Sequence, residues 1–436
     1  MNAQAFNEDF FTFLTSSPTP FHAVATMAGR FVKHGFHQLQ EQEAWTLTEG
    51  NSYFVIREDG ALIAFSIGST DYVKKGFRLL GAHSDSPCLQ IKPRPDITGQ
   101  GFHQVGVEVY GGALLNPWFD RALSVAGRVC CRMGDNSLQT LLLDLQRPLL
   151  IIPSLAIHFD REANKNHPIN AQQHLTPLLS QVAADTFPDF TAILMEQLAR
   201  ERPAIEATEI LGFDMFCYDT QPPCLIGYKD EFINAGRLDN LLSCFVGMRA
   251  MLEADGNGNR MFICNNHEET GSTSATGALG SLPLAAFERL IPDVQSRQIC
   301  LSRSFFISMD NAHGVHPNFT DKSDPSHHIL LNHGPVIKMN ANQRYATNSI
   351  SKAFFQLLAK EAGVQTQEFV MRNDMACGST IGPLIAARLG VRTVDVGAPS
   401  LAMHSIRETT GSQDPLLLYQ AIRHFLSREH LPGETR

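Results

Sequence analysis

The amino-acid sequence predicts an α/β protein that is interrupted by a β-rich insertion. Residues 1–90 and 235–436 alternate short apolar runs with helical stretches, a pattern typical of α/β folds. Residues 91–234 instead contain closely spaced prolines and glycines and strand-like alternation, as at 105–110 and 124–133. We therefore expect a discontinuous domain formed by 1–90 and 235–436, and an inserted β-rich domain formed by 91–234.

The composition supports two domains and argues against nucleic acid as a partner. The chain has 436 residues, of which 43% are hydrophobic and 18% charged, so it can bury a large core. Its formal net charge is -9, whereas proteins that bind nucleic acid need a basic stripe to neutralise phosphates. We expect no nucleic-acid partner.

The N-terminal residues predict neither a signal peptide nor a membrane span. Glu8 and Asp9 stand where a signal peptide carries positive charge, and the apolar run 10–14 is too short to cross a membrane. We interpret this run as part of an amphipathic helix and expect no membrane partner. The nine cysteines include no CxxC pair, which is typical of a reducing compartment, so we expect a cytoplasmic protein.

Four apolar runs each lead into residues that can bind metal ions. The runs 77–82, 261–264, 304–309 and 391–397 are short enough to be buried strands. Ligands of open α/β sheets bind beyond the carboxyl ends of the strands, so the residues after these runs should meet in one crevice. Imidazoles and carboxylates gathered there would form a metal site. The helices predicted around these strands include residues 241–252, 353–362 and 383–389.

His83 and Asp85 follow the first run and are predicted to act together. A single histidine is more often an ordinary core or loop residue than a metal ligand. Side chains two residues apart point the same way in an extended chain, so Asp85 can hold the His83 imidazole and fix its tautomer. This pairing favours His83 as a ligand.

Asp239 is another candidate ligand. It has an alternative role as a helix cap, and Asp120 is an alternative residue for the ligand position. Asp239 precedes the helical stretch 241–252, so it can also be the N-cap of that helix, and one carboxylate can serve both roles. Asp120 stands in a similar position before another apolar stretch. Spacing alone does not choose between the two aspartates.

Glu268 and Glu269 follow the run 261–264. In a metal hydrolase one glutamate can bind metal while its neighbour moves a proton. Exposed charges are the ordinary alternative, but a tight loop at Gly271, which we expect to open a helix, favours a pocket.

The remaining two runs lead into Asp310 and His404. Asp310 begins a segment, 310–317, that is rich in ligand-type residues, of which at most a few can bind metal. His404 lies in the loop after the run 391–397. It is a weak signal by itself and a candidate ligand in series with the other strand ends.

Six motifs occur in order along nearly the whole chain. They are Ala82-His83-Ser84-Asp85-Ser86-Pro87, Arg237-Leu238-Asp239-Asn240, His267-Glu268-Glu269-Thr270-Gly271-Ser272, Met309-Asp310-Asn311-Ala312-His313, Val370-Met371-Arg372-Asn373-Asp374 and Ala402-Met403-His404-Ser405-Ile406-Arg407-Glu408. Together they resemble the aspartyl aminopeptidase family of dinuclear zinc metallopeptidases. The resemblance implies a zinc-exopeptidase-like mixed sheet with helices on both faces, plus an inserted β-rich dimerisation domain.

The resemblance implies two Zn²⁺ ions per subunit, each with two ligands of its own and one shared ligand. The ligands of the first ion would be His83 and Asp310, those of the second Glu269 and His404, and the shared one Asp239. On this basis Asp239 is preferred to Asp120.

The resemblance also implies catalytic and substrate-binding roles. Asp85 would support His83, and Glu268 would be the general base. The implied substrates are peptides with a free N-terminus, preferably Asp or Glu, whose side chain needs a cation in its pocket. Lys338 stands at that position with Tyr345 as a neighbouring wall, although an exposed lysine at a strand end is the ordinary alternative.

Assembly is a further implication of the resemblance. It implies a homo-oligomer built from dimers of the inserted domain, and then a dodecamer. His158 would reach the active site of a neighbouring subunit, whereas the ordinary alternative is a strand histidine.

Two other functions share parts of this pattern. A dinuclear amidase or deacylase could use the same ligands on a non-peptide amide, and it would not require a free α-amine. A non-catalytic, metal-stabilised assembly protein is the second alternative. Glu268 argues against it, because a structural zinc site is closed to water and needs no base.

Overall fold

A computed structural model describes residues 2–165, 168–181, 188–428 and 430–431. The chain divides into two compact units. The first comprises Met1–Asp85, Pro223–Met403 and Glu408–Arg436, and the second comprises Ser86–Pro222 and His404–Arg407.

Eleven helices and twenty strands form the described parts of both units. The helices are α1 (Ala3–Thr15), α2 (Pro20–Lys33), α3 (Tyr72–Lys75), α4 (Ala171–His174), α5 (Phe190–Glu201), α6 (Leu238–Glu253), α7 (Leu282–Leu290), α8 (Val294–Arg303), α9 (Ser349–Glu361), α10 (Ile381–Leu389) and α11 (Asp414–Ser427). The strands are β1 (His37–Leu39), β2 (Ser52–Arg57), β3 (Ala61–Ser66), β4 (Arg78–His83), β5 (Cys88–Gly99), β6 (Phe102–Tyr110), β7 (Leu123–Met133), β8 (Leu138–Asp144), β9 (Leu178–Gln181), β10 (Ala207–Asp219), β11 (Cys224–Ile226), β12 (Phe232–Ala235), β13 (Arg260–Asn265), β14 (Phe305–Met309), β15 (Ala312–His313), β16 (Val336–Met339), β17 (Gln367–Val370), β18 (Arg392–Gly397), β19 (Pro399–Leu401) and β20 (Glu408–Gly411).

The first unit is built on a mixed sheet of nine strands in the order β1-β2-β3-β13-β4-β14-β18-β16-β17. The four central strands β13, β4, β14 and β18 are parallel. They are the four apolar runs of the sequence, and each strand begins and ends within one residue of its predicted limits. The predicted strands and the helices α6, α9 and α10 are therefore confirmed.

Helices cover both faces of this sheet, as predicted. Alternate residues of β13 belong to different cores: Phe262 packs in the core that includes α1, α6 and α11, and Ile263 packs in the core that includes α7, α8 and α10. The two-residue period of a strand divides its side chains in this way when both faces are buried.

The amphipathic N-terminal helix is also confirmed. Phe6, Phe10 and Phe13 of α1 are fully buried. Their ring centroids lie 5.2, 5.1 and 5.6 Å from that of Phe245 on α6. The spacing of three to four residues places these rings on one face of α1, and this face packs against α6.

The second unit is a six-stranded antiparallel sheet in the order β8-β7-β10-β5-β6-β9. Phe190 and Leu194 of α5 pack with its inner face. The predicted insertion covered 91–234, whereas β11 and β12 pair with β20 in a small sheet of the first unit.

Two further sequence features have clear outcomes. All nine cysteines are present as thiols. No helix among the described residues is long and apolar enough to cross a membrane.

Candidate metal centre

The candidate site lies at the carboxyl ends of the central parallel strands. His83 ends β4 and pairs in register with Asn265, the last residue of β13. Asp310 directly follows β14, which is parallel to β4 on its other side. The shared direction of these strands brings their following residues to one edge of the sheet, as the sequence predicted.

His83 is at the centre of this group. Its imidazole is 1% exposed, and its Nε2 lies 3.5 Å from Asp239 Oδ1 and 3.6 Å from Asp310 Oδ1. The Oε2 of Glu268 is farther, at 4.0 Å. His83 therefore directs Nε2 towards several carboxylates, which is the arrangement of a shared ligand set.

Asp85 holds the other side of the ring. His83 Nδ1 lies 3.1 Å from the Asp85 carbonyl oxygen and 3.4 Å from its Oδ1. A proton on Nδ1 leaves the Nε2 lone pair available to a metal ion. The Asp85 carboxylate also accepts hydrogen bonds from the backbone N–H groups of Glu268 and Glu269, both at 3.1 Å. Asp85 thus joins the end of β4 to the glutamate turn.

Glu268 and Glu269 lie in a single 3₁₀ turn after β13, Glu268–Thr270. Left-handed residues flank the turn, with φ 58° at His267 and 97° at Gly271. Both glutamates are half-buried in this turn. The helix expected to open at Gly271 is wrong: α7 begins at Leu282, and the chain between is a series of turns.

Asp239 lies at a kink at the start of α6. Asp239 and Asn240 both have non-helical dihedral angles, φ -84° and ψ 105° at Asp239, and the regular turns of the helix follow them. Its backbone N–H donates to Glu408 Oε2 at 2.9 Å, and the Asn240 side chain donates to the Met309 carbonyl at 2.8 Å. Glu408 and Asn240 were not predicted as positioning residues, and both are buried in the structure.

Burial, together with the crowding of acids, sets the electrostatics of this site. Burial raises the pKa of Glu268 to about 7, and it raises the pKa of Glu269 well above its ordinary value, with Asp239 adding to the second effect. Burial alone would lower the pKa of His83, but hydrogen bonds with three neighbouring aspartates raise it well above the usual range. A site with these shifts favours a bound cation.

The donors fit a zinc ion. The ligand-type atoms of His83, Asp239 and Asp310 all lie within 4.8 Å of one another, and so do those of His83, Glu268 and Glu269. Two atoms bound to a tetrahedral zinc ion at about 2.1 Å are about 3.4 Å apart, close to the 3.5 and 3.6 Å distances around His83 Nε2. Nitrogen and carboxylate oxygen are ligands that zinc accepts.

Lys338 and Tyr345 lie next to this group. Lys338 is 2% exposed, and its Nζ is 3.1 Å from Asp310 Oδ2 and donates to the Asn311 carbonyl at 3.1 Å. The same Nζ lies 5.2 Å from the centre of the Tyr345 ring. The alternative of an exposed lysine is therefore wrong.

Three other candidates lie in the second unit or its loops. Asp120 accepts hydrogen bonds from the backbone and hydroxyl of Ser154, at 2.9 and 2.6 Å, so its role is local. His158 lies in an exposed turn and not in a strand, because the chain after Ile152 leaves the sheet. His404 connects β19 to β20, groups with the second unit and has Nδ1 3.2 Å from the Gly112 carbonyl oxygen.

Fold and donor cluster together define a candidate zinc-dependent hydrolase. A profile of the family described as "Aminopeptidase I zinc metalloprotease (M18)" matches residues 13–426. The chain belongs to this family, the M18 aminopeptidases, which confirms the resemblance found in the sequence motifs.

Similar relatives agree over nearly the full length. A "Probable M18 family aminopeptidase 2" from Pseudomonas putida (strain GB-1) is 50% identical over 428 residues, 98% of this chain and 99% of the relative. A protein of the same name from Pseudomonas syringae pv. syringae (strain B728a) is 48% identical over 426 residues, with the same coverage.

Solved structures agree as well. The chain is similar to one in the cryo-EM structure of the Ape4 and Nbr1 complex, with a TM-score of 0.94 and 37% identity over 98% of this chain and 86% of that one. It is also similar to the S. cerevisiae mApe1 dodecamer, with a TM-score of 0.84 and 27% identity over 97% of this chain and 96% of that one.

Proposed function

We propose that this M18 protein is a dinuclear zinc aminopeptidase that prefers peptides with an N-terminal Asp or Glu. One observation carries the proposal: His83 Nε2 faces Asp239 and Asp310, while Glu268 lies beside them at 4.0 Å. Such an arrangement suits a metal ligand set with a separate proton carrier.

The proposed ligands follow the sequence motifs. His83 and Asp310 hold the first zinc ion, Glu269 and His404 hold the second, and Asp239 is shared. The distances around His83 support the first group, and the burial of Glu269 beside Asp239 supports a cation at the second. His404 rests on the resemblance and on its position in the loop between β19 and β20.

The chemistry divides between zinc and protein. Zinc supplies Lewis-acid chemistry, which polarises a carbonyl group and makes water more acidic. Glu268 takes a proton from the attacking water and gives it to the departing amine. Glu268 lies beside the ligand set without belonging to it, so its carboxylate can accept and return a proton. Asp85 positions Glu268 through the backbone hydrogen bond.

The acidic preference is assigned to Lys338. An ammonium group has three donors, and the structure engages two of them with Asp310 and the Asn311 carbonyl. The third is available to a substrate carboxylate, in a buried setting where a charge-assisted hydrogen bond is strong. Tyr345 provides an adjacent wall.

We further propose a cytoplasmic homo-oligomer, dimeric through the second unit and dodecameric overall. The mApe1 relative forms a dodecamer. Around His158 the chain exposes large apolar side chains, with Leu155 at 60%, Ile157 at 48% and Phe159 at 81%. Contiguous exposed apolar groups of this kind mark interaction surfaces. In the oligomer His158 would reach the active site of a neighbouring subunit.

A substrate panel tests this function. The purified protein is assayed with zinc on Asp-, Glu-, Leu- and Lys-initiated peptides, and on the same peptides with an acetylated N-terminus. We expect release of the first residue from the free peptides, fastest for Asp and Glu. Hydrolysis of the acetylated peptides at equal rates would instead support an amidase or deacylase.

A further inference from the structure

A large polar cavity lies beside the proposed active site in the first unit. Its volume is about 760 Å³, within the range of pockets that bind small ligands. It is lined by Asp324 and by residues of two segments, 339–344 with 347–348 between β16 and α9, and 370–373 with 375–377 around the end of β17. Lys338 and Tyr345 are not among its walls, so it is separate from the proposed pocket for the first side chain.

The cavity walls carry amide side chains. Asn342, Gln343 and Asn373 line it, and their side-chain amides form no hydrogen bond with another described residue. Each amide has two N–H donors and one carbonyl acceptor, which can pair with the carbonyl and N–H groups of a peptide backbone. The walls can therefore form hydrogen bonds with the backbone of an extended peptide, whatever its side chains are.

The cavity wall also carries charged groups. Arg372 is paired with Asp374, and the Asp324 carboxylate accepts a hydrogen bond from His327. Among the described residues no carboxylate forms an ion pair with the guanidinium of Arg344, which also lines the cavity. A guanidinium is suited to bind a carboxylate through two parallel hydrogen bonds.

A short series of contacts connects the cavity with the metal centre. Cys377, in the cavity wall, packs against the apolar cluster that contains Tyr345. The Tyr345 ring lies 5.2 Å from Lys338 Nζ, which is 3.1 Å from Asp310 Oδ2. An extended peptide advances about 3.5 Å per residue, which is comparable with these contact distances.

We propose that this cavity binds the part of the peptide that follows the scissile bond, and that Arg344 pairs with the C-terminal carboxylate of a short peptide. The inference rests on the proposed aminopeptidase function. Binding of the C-terminal carboxylate by Arg344 would adapt the protein to short free peptides, because the carboxylate of a longer peptide lies beyond the cavity.

The test uses full-length protein with zinc and a ladder of peptides from Asp-Ala to Asp-Ala-Ala-Ala-Ala, each as free acid and as C-terminal amide. The variants are Arg344→Gln and, as a matched control, Arg392→Gln. Arg392 is an exposed arginine at the first position of β18, whereas the metal centre lies beyond the carboxyl ends of the central strands. We expect the wild type to prefer the free acid about tenfold in kcat/KM at a length of three or four residues.

Arg344→Gln should remove this preference by slowing the free acids about tenfold while leaving the amides and Asp-p-nitroanilide unchanged. The control should behave as the wild type. Equal rates for acids and amides at every length, or equal losses on all substrates in Arg344→Gln, would overturn the inference and leave the aminopeptidase function intact. Absence of hydrolysis by the wild type would refute the proposed function itself.

Discussion

At the scale of single residues, Asp85 organises the candidate centre. Its carboxylate faces His83 and also accepts the backbone N–H groups of Glu268 and Glu269. The two-residue spacing of His83 and Asp85 predicted the first contact. The second could not be predicted, because it joins residues far apart in the chain through backbone groups that any residue would offer.

The first prediction concerns Glu268. Glu268→Gln should retain zinc and lose at least about 100-fold in kcat, because it removes a proton carrier while keeping the shape of the side chain. Zinc content and turnover are measured on the same sample. Asp239→Asn is the contrasting variant and should lose zinc. Near wild-type turnover in Glu268→Gln would place the base elsewhere, with His158 or His313 as the next candidates.

The second prediction concerns Lys338. Lys338→Ala should cost acidic substrates about 2 to 3 kcal/mol in kcat/KM, because a buried charge-assisted hydrogen bond to substrate is lost. Neutral substrates should change little. Rates on Asp and Leu peptides are compared, together with zinc content, since Lys338 also contacts Asp310. Equal losses on both peptides would show that Lys338 acts through Asp310 and does not select substrates.

At the scale of elements, the buried strands were the most predictable part of the fold. An apolar run of four to seven residues has few ways to be buried on both faces, so β4, β13, β14 and β18 could be located from composition alone. The loops after them were less predictable. No helix opens at Gly271, and His158 lies in an exposed turn, because polar contacts and turn geometry decide these segments.

The third prediction concerns the packing of α1 against α6. Phe245 is fully buried among three phenylalanines of α1, so Phe245→Ala should destabilise the first unit by about 3 to 5 kcal/mol through the cavity that it leaves. Urea unfolding measures the loss. Leu357→Ala on α9, where Leu357 is 49% exposed, is the control and should cost less than about 0.5 kcal/mol. A loss below about 1 kcal/mol in Phe245→Ala would contradict this packing.

At the scale of the whole molecule, the chain leaves the first unit after Asp85 and returns at Pro223. The shift in composition predicted this interruption, but it could not fix its limits. β11 and β12 belong to the first unit because they pair with β20, and the segment His404–Arg407 groups with the second unit because Ile406 packs in its core. Pairings of such long range depend on the folded structure and leave no local pattern in the sequence.

The central claim is that two zinc ions perform the catalysis and do not merely hold the fold. It predicts that removing zinc abolishes activity while the apolar cores, which contain none of the proposed metal donors, keep the protein folded.

The most direct test measures zinc content, Asp-peptide hydrolysis and circular dichroism on one preparation, before chelation, after chelation and after zinc is restored. We predict two zinc ions per chain at the start, loss of at least about 99% of activity with the metal, little change in secondary structure, and recovery on adding zinc. Full activity in the metal-free protein, or bulk unfolding when zinc is removed, would contradict the account.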